Sequence, residues 1–152
     1  MKKLILLMFF SLITYSFSYK IEENFTGKIV KKYGNGQLQS LENFKNGKLN
    51  GEFKEFYKDG TLFQIGSFKD GEMENIKVFD ENGNLKFEVT FEDRIGYHKG
   101  YHPNGTLREE GKTYKGDEIG IWKYYDEKGK LINEKLFVEK VKHKNKVPII
   151  LK

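Results

Sequence analysis

The chain has 152 residues, no cysteine and a formal net charge of +5 at pH 7. Without cysteine it can form no disulfide and carry no thiol-linked lipid, so noncovalent contacts must hold it together. Two lysines at the start and five lysines against one glutamate in residues 139–152 account for the whole positive excess. The body between them is close to neutral, which argues against nucleic acid as a partner, because nucleic-acid-binding domains usually carry a basic patch on the folded part.

The first 18 residues predict a secretory signal peptide. Two lysines precede an apolar run over residues 4–17, and Ser16 and Ser18 supply the small residues of a cleavage site. A membrane anchor is the alternative, but about 14 residues at ~1.5 Å each span only ~21 Å of a hydrocarbon core ~30 Å thick. We therefore expect cleavage after Ser18 and an exported protein, either periplasmic or secreted.

Five copies of one phrase follow. Glycines of turn type recur every 22 to 24 residues, at Gly36, Gly60, Gly83, Gly105 and Gly129. A leucine stands two residues after each, and an aromatic residue stands eight or nine residues after each. Self-similarity at a fixed period is the signature of a repeat architecture. We expect a lead-in over residues 19–26, five repeats over 27–138 and a basic tail over 139–152.

Each copy predicts a β-hairpin. Most turns contain Asn-Gly or Asp-Gly, which suit turns whose central residues need positive φ. The intervening runs are rich in Phe, Tyr, Val, Ile and Thr, and turn signals recur too often for a helix to form. The ten expected strands are residues 28–33, 37–45, 50–57, 61–69, 73–80, 84–92, 95–101, 106–114, 119–125 and 130–138. Short connectors make successive strands neighbours, so the predicted fold is all-β, a single-layer antiparallel meander of stacked hairpins.

The repeated unit runs Gly-x-[Phe/Trp]-x-x-[Phe/Tyr]-Tyr, then [Asn/Asp]-Gly-x-Leu, then Phe-Lys-[Asp/Asn]-Gly. It resembles the bacterial variant of the MORN repeat, the kind found in proteins labelled YwqK-like antitoxins. The stretch GEFKEFYKDGTLFQIGSFKDG from Gly51 is similar to that unit, as is GIWKYYDEKGKLINEKLFV from Gly120. The resemblance implies a single-layer sheet of stacked hairpins and a role as an antitoxin or interaction module.

Two copies depart from the pattern. In the third, Asn75 stands near the place of the leading glycine and Arg94 replaces the closing one. In the fourth, His98 stands where the second and fifth copies have Phe53 and Trp122. We expect Arg94→Val to be mild, because that copy already lacks the glycine, and Gly60→Val to be destabilising.

Residues that could carry chemistry are scarce. After cleavage the only serines are Ser40 and Ser67, and no nucleophile-elbow motif occurs. On a strand, His98 and His102 would lie ~13 Å apart, too far to share one metal ion. The acidic pairs lie at predicted turns, where solvated charge is the usual state. We therefore expect no enzyme activity, no cofactor and no metal.

Aromatic side chains are the strongest functional signal. A single layer cannot bury both faces, and exposed aromatic residues mark binding surfaces. We expect Phe53, Tyr57, Trp122 and Tyr124 to form an exposed face that binds an unknown protein, such as a toxin or an envelope protein. Packing between repeats is the other use that these side chains could have.

The basic tail suggests a second partner. Its lysines are Lys140, Lys142, Lys144 and Lys146, followed by the apolar run 147–151. Each lysine near an anionic membrane contributes about 1 kcal/mol, so association with a lipid surface is the alternative function. A frayed, solvated end is the other interpretation of this segment.

Overall fold

The computed structural model describes residues 21–138, all of which belong to one ten-stranded sheet, its turns and a short lead-in. The strands are β1 (Gly27–Lys32), β2 (Leu38–Lys45), β3 (Lys48–Phe56), β4 (Leu62–Lys69), β5 (Glu72–Phe79), β6 (Leu85–Glu92), β7 (Ile95–Tyr101), β8 (Leu107–Tyr114), β9 (Asp117–Tyr125) and β10 (Leu131–Phe137). The predicted signal peptide and basic tail lie outside the described residues.

Strand order in the sheet follows chain order from β1 to β10, and every neighbouring pair is antiparallel. The predicted all-β, single-layer meander is confirmed, and each strand ends within two residues of its predicted limits. The described part contains no helix, and so none long and apolar enough to cross a membrane.

Two kinds of turn alternate along the chain. The turns inside each repeat have three central residues. Tyr33 donates its N–H to the carbonyl of Gln37 at 2.8 Å, and Gly36 donates to Tyr33 at 2.9 Å. Of the three central residues only the last, Gly36, has positive φ, as expected for a type I turn followed by one left-handed residue. The same pattern recurs at residues 57–61, 80–84, 102–106 and 126–130.

The turns between repeats have two central residues, and both take positive φ. Asn46 and Gly47 have φ of 50° and 71°, and Asp93 and Arg94 have 48° and 66°. Asp70-Gly71 and Lys115-Gly116 behave in the same way. The sequence pattern did not distinguish the two kinds, because Asn-Gly and Asp-Gly satisfy either of them.

One face of the sheet, here called the core face, is covered by its own side chains. Its buried apolar residues are Phe44, Leu49, Phe53, Phe68, Ile76, Val78 and Trp122. Glycines on adjacent strands make this possible. Gly66 stands between Phe53 and Ile76 in the register, and a Cβ at Gly66 would lie 2.6 Å from the Phe53 ring. An aromatic ring therefore lies across the neighbouring strand, shielding backbone that a second layer would otherwise cover.

The N-terminal end of this core is closed by the lead-in. Ile21 and Phe25 pack against the core cluster, and the rings of Phe25 and Phe44 are 5.9 Å apart. Gly47 donates its N–H to the carbonyl of Phe25 at 2.8 Å, which ties the lead-in to the first two-residue turn. The first repeat is thus capped by chain that precedes it.

The opposite face, here called the outer face, carries a row of charges of alternating sign. Directly opposed residues on β5 to β10 form this charge row: Lys77, Glu88, Lys99, Glu110, Lys123 and Glu134. The ammonium of Lys77 lies 3.4 Å from the carboxylate of Glu88. Opposite charges on facing strands stabilise a sheet by about 0.2–1 kcal/mol per pair. The row therefore favours the observed register and keeps this face solvated.

Candidate binding surface

The aromatic residues predicted to be exposed anchors are mostly not exposed. Phe53 is 6% exposed and Trp122 is 3% exposed. The ring of Phe53 packs on Phe68 with centroids 5.1 Å apart, and the indole N–H of Trp122 donates to the carbonyl of Lys112 at 3.0 Å. The prediction that these two residues form an exposed face is wrong, because glycines on the neighbouring strands let both rings lie flat inside the core face.

Tyr57 and Tyr124 are half-buried. The hydroxyl of Tyr57 donates to the carbonyl of Phe79 in the next repeat at 2.9 Å, and its ring lies 5.0 Å from Phe63. Burial, followed by nearby carboxylates, raises the pKa of both phenols. These contacts give Tyr57 a structural role between repeats. A direct contact of either tyrosine with a partner stays a prediction.

The five turn glycines predicted from the period all have positive φ. The values are 87° at Gly36, 93° at Gly60, 82° at Gly83, 83° at Gly105 and 80° at Gly129. L-residues rarely adopt this conformation. These glycines shape the turns, and nothing about their surroundings gives them a chemical role.

His98 lies on the core face at the position that the second and fifth repeats fill with Phe53 and Trp122. Its ring stands between those of Phe87 and Trp122, with centroids 5.4 and 5.2 Å away. Its buried Nε2 makes no hydrogen bond within the described residues and lies 3.7 Å from Oε1 of Glu109. This imidazole is therefore a core group that faces a carboxylate.

Glu109 is held ionised by its neighbours. Arg108 donates to Oε1 of Glu109 at 3.1 Å. The pKa of this carboxyl is lowered to about 2, first by the facing His98 and then by Arg108, while partial burial acts in the opposite direction. The pair of Glu109 and His98 crosses from β8 to β7 within the fourth repeat, and the His98 ring contacts Phe87 of the third repeat and Trp122 of the fifth.

His102 has a different environment from His98. It begins the three-residue turn of the fourth repeat, and its Nε2 donates to the carbonyl of Tyr125 in the fifth repeat at 2.9 Å. Tyr33 and Tyr57 make equivalent bonds to the following repeats. Residues 21–138 contain no group of three or more His, Asp or Glu arranged to hold a metal ion.

Exposed apolar side chains are concentrated in the last repeat. Five of the seven large exposed ones in the described part, between 44% and 77% exposed, lie on β9, on β10 or just after it. They are here called the terminal patch: Ile121, Leu131, Ile132, Leu136 and Val138. Ile121 and Leu136 are directly opposed on the outer face.

The terminal patch is not among the sites predicted from the sequence, although the repeats differ there in a way that indicates it. Where the fifth repeat has Ile121 and Leu136, the second has Glu52 and Ser67. Polar residues also stand at the position of Ile132 in the third and fourth repeats. Comparing copies for polar-to-apolar changes, rather than for what they share, would have found it.

Within residues 21–138, the patch borders an edge of the sheet. β10 pairs with β9 on one side, and no described strand lies on its other side. At the opposite end of the sheet the lead-in closes the core, as described above. β1 also has a neighbour on one side only, so within residues 21–138 the two ends differ in their side chains: the lead-in packs on the core of the first repeat, whereas the last repeat carries exposed apolar residues.

Comparison with protein families gives one match that spans most of the chain. The family described as MORN repeat variant matches residues 25–46, 49–70, 75–93, 94–115 and 118–139. None of the curated proteins compared with the sequence is significantly similar to it.

Parts of several solved structures are also similar to this chain. The glycosylation associate protein complex from Streptococcus agalactiae is 17% identical, with 74% of this chain and 22% of that chain covered and a TM-score of 0.42. A mutant form of S. aureus TarM is 12% identical, with 75% and 27% covered and a TM-score of 0.39. The chain thus spans about a quarter of the length of these structures.

Proposed function

The chain belongs to the MORN repeat variant family, and from this premise we propose that it is a non-enzymatic protein-binding module whose partner docks on the terminal patch. The observation that supports this is the exposure of Ile121, Leu136 and their neighbours beside a free strand edge. Repeat arrays need terminal repeats with polar outer surfaces to remain soluble. A last repeat without such a surface is better suited to being covered by a partner.

The absence of enzymatic activity is part of this proposal. Ser40 donates its hydroxyl to Glu42 at 2.9 Å, and the other serine that follows the predicted leader, Ser67, donates to Glu74 at 3.0 Å. His98 is enclosed between two aromatic rings. In residues 21–138, therefore, neither hydroxyl is set against an imidazole base, which supports a binding function rather than nucleophilic catalysis.

We further propose that the partner is a toxin or an envelope protein and that the role is antitoxin-like or immunity-like. The resemblance of the repeats to those of YwqK-like antitoxins supports this role. The predicted signal peptide means that such a complex would form outside the cytoplasm. N-terminal sequencing of the protein from its native host should find Tyr19 first, and an intact Met1 on a membrane-embedded species would contradict export.

The experiment that tests the binding function is affinity capture from an envelope fraction with matched variants. Leu136 is 67% exposed in the terminal patch, whereas Val30 is 51% exposed near the other end of the sheet. Leu136→Ser should abolish capture of a specific partner, and Val30→Ser should leave it unchanged. Equal capture by both variants would remove the terminal patch from the proposal.

A membrane surface is the second candidate partner. The terminal patch directly precedes a segment that contains Lys140, Lys142, Lys144 and Lys146, and apolar area combined with lysine is what binds anionic lipid. Sedimentation with vesicles containing phosphatidylserine, compared with phosphatidylcholine alone, tests this function. Removal of residues 139–152 should abolish sedimentation if lipid is the partner and should leave protein capture intact if it is not.

A further inference from the structure

Among the described strands, the charge row on the outer face ends on β10 with the acidic Glu134. From Lys77 to Glu134 each residue is opposed by one of opposite charge on the next strand, so basic residues stand on β5, β7 and β9 and acidic residues on β6, β8 and β10. Glu134 meets Lys123 on its inner side. A further strand beyond β10 would continue the alternation of charge if it placed a basic residue opposite Glu134.

Apolar residues flank Glu134 on the same strand. Leu136 lies two residues further along β10, on the same face, and is opposed by Ile121 on its inner side. A strand added beyond β10 would extend this contact by placing an apolar residue opposite Leu136. Because side chains on one face of a strand are two residues apart, the complementary segment has a basic and an apolar residue in alternate positions.

We infer that the partner docks as an extended segment along β10, forming an eleventh strand with a Lys or Arg opposite Glu134 and an apolar residue opposite Leu136. This rests on the proposed function and states the chemistry of its partner. An exposed edge strand offers unpaired N–H and C=O groups to such a segment, and the side chains then determine which segment is accepted.

The lysine on β10 does not oppose this docking. Lysine on an edge strand commonly discourages strand addition. The ammonium of Lys135 lies over the ring of Phe137, 4.3 Å from its centroid, on the core face. It is therefore placed away from Glu134 and Leu136, which belong to the outer face.

A second copy of β10 is a poorer occupant. Two copies of β10 could pair antiparallel with the same faces aligned. A two-fold axis through Glu134 would then place two glutamates opposite each other, and an axis through Lys135 would place two lysines opposite each other. Both arrangements are destabilising, because like charges face each other. An axis at Asn133 sets Glu134 opposite Ile132. None of these registers continues the alternation of the charge row, whereas a segment with a basic residue does.

Two synthetic peptides test the inference. The first is Thr-Thr-Val-Thr-Lys-Thr-Val-Thr-Thr, blocked at both ends, and the second has Glu in place of Lys. The sequence is palindromic, so the direction of docking does not matter. Fluorescence anisotropy with the full chain should show the Lys peptide binding about tenfold more tightly at low salt, as a pair that changes from attraction to repulsion would give. No binding of either peptide at millimolar concentration would overturn strand docking.

Charge reversal gives the matched control. Glu134→Lys should reverse the preference so that the Glu peptide binds more tightly. Glu127→Lys makes the same change of charge at an exposed turn residue outside the row and should keep the original preference. Equal binding of the two peptides to the unaltered chain, or reversal by both substitutions, would refute the inference.

Hydrogen exchange locates the docked segment. Saturation with the Lys peptide should slow exchange of amides on β10, and protection confined to β1 or to the turns would contradict docking at this edge. Failure of this inference can be distinguished from failure of the proposed function. If capture of the natural partner depends on Leu136 but the peptides show no charge preference, only this inference fails.

Discussion

The indole ring of Trp122 on β9 lies directly against the backbone of Gly111 on β8. A Cβ built at Gly111 would overlap the Cγ, Cδ2 and Cε2 atoms of the indole. Phe53 on β3, in the second repeat, likewise lies against Gly66, which is on the following strand β4. These glycines have ordinary φ, so they are needed for space rather than for backbone conformation. Glycine in the middle of a strand is therefore part of how this single layer buries its core.

Gly111→Ala should destabilise the protein. Overpacking of this kind costs about 1–3 kcal/mol, because Trp122 cannot move without exposing the core face. Urea denaturation measures the change in the free energy of unfolding. Gly34→Ala is the matched control, since a Cβ there meets nothing within 4 Å and φ is not positive. A similar loss in both variants would mean that the contact with Trp122 is not the cause.

Trp122→Ala should act on stability before it acts on binding. Removing a buried Trp or Phe side chain typically costs about 3–5 kcal/mol. Thermal melting followed by circular dichroism should therefore show a large loss for Trp122→Ala. Tyr97→Ala, at an exposed aromatic residue on the outer face, should lose little. If Trp122→Ala melted like the unaltered chain but bound its partner weakly, the earlier expectation of an exposed binding face would return.

The loss of stability caused by a substitution at a turn should depend on the φ of that position rather than on the residue that normally occupies it. Gly60 has φ of 93°, so Gly60→Val should cost about 1–2 kcal/mol. Arg94 also has positive φ, at 66°, so Arg94→Val should be costly as well, contrary to the expectation from the sequence. Arg94→Gly should stabilise by about 0.5–1 kcal/mol. Chemical denaturation of the three variants checks the order, and destabilisation by Arg94→Gly would count against it.

Stability should fall in acid partly through Glu109. The pKa of this carboxyl is lowered from 4.5 to about 2 in the folded protein, first by His98. Its contribution is therefore complete above about pH 4.5 and is lost as the pH falls towards 2. Unfolding measured between pH 6 and pH 2.5 should show a shallower loss for Glu109→Gln than for the unaltered chain. Glu127→Gln, at an exposed turn, should lose stability with falling pH as steeply as the unaltered chain does.

Alkaline stability should depend on Tyr101. Its hydroxyl donates to Glu88 at 2.7 Å, and burial followed by this bond raises its pKa to about 12. The contribution is present below pH 10 and is lost as the pH rises towards 12, because the folded state holds the phenolic proton more tightly. Ultraviolet titration of tyrosinate should show that Glu88→Gln lowers the pKa of Tyr101. An unchanged titration would mean that the carboxylate has no effect on the phenol.

Most of the fold could be predicted from the repeated sequence unit. Turns at Gly36, Gly60 and their equivalents, ten strands and their neighbour order all follow from a local period and from connectors too short to allow a crossover. The binding site did not follow in the same way. The aromatic residues shared between copies were predicted as an exposed surface, but Phe53 and Trp122 are buried.

What the sequence by itself determined is the spacing of turns and strands, because the preferences of Asn, Asp, Gly and β-branched residues act within a few neighbouring residues. The tertiary structure alone decided which side chains are covered. Burial depends on what the adjacent strand places opposite, such as Gly111 beneath Trp122 or Glu109 beside His98, and a slip of one residue in register would turn each side chain to the other face. The terminal patch has the same origin, since Ile121 and Leu136 lie on the outer face, which no second layer covers among the described residues.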